Sequence, residues 1–158
     1  MNVEVLDLGS LQIPLSPKLE VSLDVDADSG QPVSVTLVLE HSLASLQLFA
    51  EARNQRSWPQ VRDAIVAELN SQYIDTQVVM GRFGTEVHCV MPTQDESGAL
   101  LAQSVRFLGI DGDRWFLRVT IGGDAAVFDE ARDQMDDLLE AISVVRGTHA
   151  APPGERLP

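Results

Sequence analysis

The stretch Gln103-Ser-Val-Arg-Phe-Leu-Gly-Ile-Asp-Gly-Asp-Arg-Trp-Phe-Leu-Arg-Val-Thr-Ile-Gly122 holds two alternating apolar runs hinged on an acidic, glycine-bearing turn. Val105, Phe107 and Gly109 recur with the period of two that an extended strand imposes, as do Trp115, Leu117, Val119 and Ile121 in the second run. Arg106 and Arg118 then point the other way, with Arg114 beside the turn. The Asp111-Gly112 pair predicts a type I′ hairpin, because that turn needs positive φ at both central residues and glycine adopts it without a Cβ clash. Leu108 and Phe116 are apolar as well, so neither face is purely polar. Such a hairpin belongs in the middle of a sheet with helix on at least one face. Trp115 reads most simply as a core residue, with ligand stacking as the competing role.

Working outward, Leu11 and Ile13 make a short strand ended by Pro14, after an N-terminal arm at 1–10. Leu19, Val21, Leu23 and Val25 alternate with polar residues, turn through 26–30, and return as Val33, Val35, Leu37 and Leu39. A third run, 43–50, completes an antiparallel meander. Ser57-Trp-Pro-Gln60 reads as a helix start: Ser57 as cap, Pro59 in the first turn, and Gln60 reaching back as in a capping box. Val61, Ile65 and Leu69 form its apolar stripe, and the helix should end near Gln72. Strands at 76–82 and 86–91 follow, and 92–99 reads as a loop. After Gly122-Gly123 the period changes to that of a helix, with Phe128, Ala131, Met135, Leu138, Leu139 and Ile142 on one side of residues 128–141. A closing strand at 143–146 and a proline-rich tail at 148–158 end the chain. The expectation is a single α+β domain over 11–147, with a mostly antiparallel sheet of about seven strands and two main helices.

Composition narrows the functions open to such a domain. At 158 residues folding buries roughly 70% of the unfolded chain's surface, so one core suffices without metal or disulfide. The single cysteine, Cys89, excludes an intramolecular disulfide and any zinc site built from several thiolates. No run of about 18 apolar residues exists to span a membrane. Glu4 and Asp7 stand where a signal peptide carries positive charge, so a cytoplasmic location is expected. The net charge is −13, from 24 acidic and 11 basic residues, only one of them a lysine, Lys18. Direct nucleic-acid binding and anionic membrane surfaces are therefore disfavoured, whereas a basic partner or a cation suits the field.

Several phrases together resemble an actinobacterial family of uncharacterised cytoplasmic proteins, a domain of unknown function. They are Asp7-Leu-Gly-Ser-Leu11, Gly81-Arg-Phe-Gly-Thr-Glu86, Arg106-Phe-Leu-Gly-Ile-Asp-Gly112 with Arg114-Trp-Phe-Leu-Arg118, and Val144-Val-Arg-Gly147. The resemblance implies a compact cytoplasmic domain and brings no activity with it. In element order, a sheet held between two helices is also similar to the folds of the Mog1 and photosystem PsbP type.

Candidate chemistry is sparse. Asp24, Asp26 and Asp28 alternate into a glycine turn like the start of a calcium loop, but Ser29 and Val35 stand where an EF-hand has glycine and glutamate. A solvated acidic hairpin is the plainer reading. His88 and Cys89 are adjacent, yet neighbours on a strand project to opposite faces, which spoils a nucleophile and base pair. The glycines fit no phosphate-binding loop and no nucleophile elbow occurs, so no cofactor and no catalytic set are expected. Arg106, Arg114 and Arg118 around Trp115 form the best candidate binding group: sharing a face, they could receive a carboxylate or phosphate. Internal pairing with the surplus acids is the simpler account. The leading expectation is a non-catalytic protein-interaction domain, and the rival is a small-anion-binding protein or enzyme using those arginines. An exposed edge strand also offers a homodimer interface.

Overall fold

The computed structural model describes residues 5–8, 11–25, 27–28, 32–52, 56–94 and 96–144. In chain order they form β1 (Val5–Asp7), β2 (Leu11–Pro14), β3 (Leu19–Val25), β4 (Pro32–Leu39), β5 (Ser42–Ala50), α1 (Trp58–Ser71), β6 (Thr76–Gly81), β7 (Gly84–Gln94), β8 (Leu100–Asp111), β9 (Trp115–Gly123), a 3-10 turn (Asp124–Ala126), α2 (Asp129–Ala141) and β10 (Ser143–Val144). Seven strands build one antiparallel sheet in the order β3-β4-β5-β9-β8-β7-β6, while β1, β2 and β10 make a small second sheet. This is the expected α+β domain with two helices. The opening residues add to it, since Val5–Asp7 pair with β2. Residues 145–158, including the end of the expected closing strand and the tail, lie outside the described residues.

Alternation along the strands gives the sheet two covered faces. Leu46, Leu48, Leu108, Leu117, Val119 and Ile121 pack with Met135 and Leu139 of α2 and with Leu11 and Ile13 of β2. On the opposite face Trp58, Ile65 and Leu69 of α1 pack on Val87, Cys89 and Phe116. The indole of Trp58 lies over the sheet, stacked on Phe116 with ring centroids 6.4 Å apart, and its Nε1–H donates to the Thr85 carbonyl at 2.7 Å. Gly109 makes room for it: a Cβ there would stand 2.5 Å from the Trp58 ring and 2.7 Å from the Phe116 ring.

The central hairpin corrects two expectations. Its loop has three residues, 112–114, with positive φ at Arg114 (63°), and the Gly112 amide donates to the Trp115 carbonyl at 2.8 Å. A turn followed by a left-handed residue replaces the type I′ pair, and Asp111 pairs with Phe116 across it. Arg106 therefore pairs with Ile121, and Arg118 with Gly109. Arg106 shares a face with Leu117, Val119 and Ile121, so the two arginines lie on opposite sides of the sheet. Gly112 is glycine for packing, since a Cβ there would overlap the indole of Trp115.

Two further segments differ from their sequence reading. Of the residues expected as a loop at 92–99, 96–99 do connect two strands, but 92–94 instead extend β7, with Pro92 paired to Ala102 and Gln94 to Leu100. Proline is tolerated because the pairing of β6 with β7 ends at Thr76 opposite Cys89, leaving the later stretch of β7 without a second neighbour among the described residues. The result is a two-stranded arm, 90–94 with 100–104, projecting past the sheet. At α1, Ser57 makes no side-chain cap. Its own amide is instead bonded by two carboxylates brought from elsewhere, Glu51 at 2.9 Å and Asp111 at 2.8 Å.

Candidate functional site

Polar side chains buried in an otherwise apolar core are where this fold departs from pure packing, and they form two clusters. The first sits between the sheet and α2. Arg106 is 1% exposed, and its guanidinium takes a two-pronged bond to Glu86, Nε to Oε1 and Nη2 to Oε2, both at 2.9 Å. Its Nη1 donates to the Ala125 carbonyl at 3.1 Å, and Nη2 reaches Asp136 Oδ1 of α2 at 3.3 Å. The Nε2 atom of His88 lies 2.9 Å from Glu86 Oε1. Burial pushes the Glu86 carboxyl up, but the bonds from Arg106 and His88 outweigh it and hold the group below its ordinary value. Asp136 goes the other way, raised chiefly by burial against the pull of Arg106. Gly81 belongs to this cluster, since a Cβ there would overlap the Glu86 carboxylate.

Above this cluster a cleft of ≈ 270 Å³ opens between the β6–β7 turn and α2, lined by Arg82, Glu86, His88, Arg132, Asp133 and Asp136. Arg82 bridges its rim, with Nη1 2.6 Å from Asp137 and 3.1 Å from Glu140. Every charge named here has a protein partner, and together they tie α2 to the sheet.

The second cluster joins the start of α1 to the β8–β9 turn. Glu51 is 4% exposed, and burial together with a hydrogen bond to Asp111 raises its carboxyl to about 7. Its Oε1 is buried and finds no hydrogen-bond partner among the described residues. Asp111 also accepts from the Trp58 amide at 3.3 Å.

The residues singled out from the sequence do not assemble. Arg106 is enclosed as described, Trp115 is half-buried over Gly112, and six positions along β9 separate Trp115 from the partner of Arg106, roughly 20 Å. Arg118 is half-buried on the α1 face opposite Gly109, and Arg114 lies in the turn. Asp24 accepts from the hydroxyls of Ser34 and Thr36, each at 2.8 Å, across the β3–β4 ladder. Asp26 lies outside the described residues, and Asp28 is exposed in the turn. Among the described residues no three His, Cys, Asp or Glu side chains converge on a metal position. His88 and Cys89 point to opposite faces, the imidazole to Glu86 and the thiol to the α1 core, where burial pushes its pKa up. Among the described residues no helix is long and apolar enough to cross a membrane.

What sequence reading missed is an apolar edge. β6 closes the sheet with no further strand beside it among the described residues, and Thr76–Gly81 carries no charge. Val78 is 56% exposed and Met80 75%. Around the corner the two-stranded arm exposes Val90, Leu100 and Leu101. Between them lies a cleft of ≈ 640 Å³, lined by Tyr73, Ile74, Asp75, Gln77, Val90 and Pro92 among others. The signal was present as the uncharged run Thr76-Gln-Val-Val-Met-Gly81, but only the strand order shows that it lies at an edge.

Fold and polar clusters together define a small α+β domain whose antiparallel sheet is covered on both faces and whose buried charges are engaged internally. The chain belongs to the family described as "Protein of unknown function (DUF3710)", whose model matches residues 1–158. No curated protein matches it. Among solved structures it is similar to a crystal structure from Bacteroides thetaiotaomicron VPI-5482, with 11% identity and a TM-score of 0.48 over 90% of this chain. The chain spans 48% of that structure's length.

Proposed function

We propose that the domain is a non-catalytic protein-binding module that takes an extended segment of a partner along β6. The single observation that carries this reading is the uncharged edge strand with its exposed Val78 and Met80, lying beside an open cleft. An edge presents a row of unused backbone donors and acceptors, which soluble proteins usually blunt with charge. The opposite edge, β3, is blunted in that way by Glu20 and Asp24, and β6 is not. Strand addition draws affinity from main-chain bonds and specificity from alternate side chains entering pockets, and the cleft beside Gln77 and Val90 supplies such a pocket. With a net charge of −13, an apolar strand flanked by basic residues suits the site better than a second acidic copy.

The test is fluorescence anisotropy with a labelled lysine-flanked Val/Thr peptide as long as the six residues of β6. Wild type should bind it, and Val78→Lys with Met80→Lys should lose binding while keeping its thermal midpoint, because both side chains are exposed. Failure of the wild type to bind, or binding indifferent to the two lysines, overturns the reading. Light scattering on the same proteins shows whether a second copy is the occupant instead.

A further inference from the structure

We propose that Glu51 and Asp111 form a one-proton latch, clamping the first turn of α1 to the β8–β9 turn while they share a proton and loosening it when the proton leaves. Two carboxylates from distant parts of the sequence converge on one donor, the Ser57 amide, at 2.9 and 2.8 Å. They do so where burial leaves Glu51 4% exposed, and like charges that close in a low-dielectric site cannot both ionise without cost. A single proton between them resolves the conflict and explains why Glu51 Oε1 has no donor among the described residues. The joint is mechanically central: Ser57 begins the helix, the Trp58 amide also bonds Asp111, and the Glu51 amide donates to the Arg114 carbonyl at 3.0 Å.

Among the described residues, the charged side chains on the surrounding elements include Asp113 and Arg114 in the turn, Arg56 ahead of the helix, and Arg118 on the same face of β9. The arginines favour loss of the proton, while burial and the neighbouring carboxylates oppose it. His88 lies on the other face of the sheet, and His41 at the far end of β5, so neither supplies the transition. Because the Glu51 carboxyl is raised, chiefly by burial, from 4.5 to about 7, the folded chain keeps a proton that the unfolded chain releases. The clamp is therefore fully present below the unfolded value and is lost as pH rises through the folded one.

Amide hydrogen exchange of the intact protein between about pH 5.5 and 8.5 tests the latch, read as protection factors so that the intrinsic pH dependence of exchange cancels. Wild type should lose protection in the first turn of α1 as pH rises, more than about tenfold in all, with the fall levelling off near 7. Glu51→Gln, which stays uncharged, should hold protection high and flat, and Asp111→Asn should move the levelling point down by removing the like charge. His88→Gln should leave the step in place. A flat wild-type profile, a step that survives Glu51→Gln, or one abolished by His88→Gln overturns the proposal. Should Glu51→Gln fail to fold, the carbon-13 titration of the Glu51 carboxyl in the wild type decides, and an ordinary carboxylate midpoint sinks the latch.

Discussion

Arg106 is the residue on which burial and charge are most sharply opposed. A guanidinium in an apolar core is stable only when its donors are met, and here Glu86, Asp136 and the Ala125 carbonyl meet them. Arg106→Met leaves two carboxylates buried without their counter-ion, so we expect a loss of about 3–5 kcal/mol in urea unfolding. Adding Glu86→Met and Asp136→Leu to that variant should restore much of it, because an apolar trio of similar volume carries no desolvation cost. If the single change is nearly neutral, the cluster is wet and its role is misassigned. Periodicity alone made Arg106 a candidate ligand-binding residue, because alternation fixes relative facing within a strand but not which face is buried. Gly109 makes the same point: its place was legible as one of an alternating set, whereas the ring of Trp58 that requires it comes from 51 positions away.

At the scale of the element, α1 shows a helix whose start was readable and whose cap was not. Pro59 and the Val61, Ile65 and Leu69 stripe placed the helix correctly. Ser57, the natural cap by type, has φ −86° and ψ −26°, and its hydroxyl makes no capping bond. Ser57→Ala should therefore cost less than about 0.5 kcal/mol, against the ~1 kcal/mol of a working serine cap. A loss of the larger size in urea unfolding would show that the hydroxyl does cap in solution. Local sequence could not foresee this because the competing acceptors, Glu51 and Asp111, arrive through the sheet. The arm at 90–94 and 100–104 is the converse case. Pro92 argued for a loop, and the strand survives because β6 ends before reaching it.

For the whole molecule, the dominant long-range term is the excess of 24 acidic over 11 basic residues. Self-repulsion of that size opposes the compact state, so raising sodium chloride from about 20 to 200 mM should raise the thermal midpoint by screening it. A fall instead would mean that surface pairs such as Arg82 with Asp137 and Glu140 outweigh the repulsion. By itself the sequence determined the fold class, the two helices, most of the strands and the acidic field, because those follow from hydrophobic period, turn chemistry and composition, all local or additive. Strand order and hairpin register were decided only by the tertiary structure. They bury Arg106 against Glu86, bring Glu51 to Asp111 and leave β6 at the edge, since each depends on which distant segments meet when the two faces of the sheet are covered.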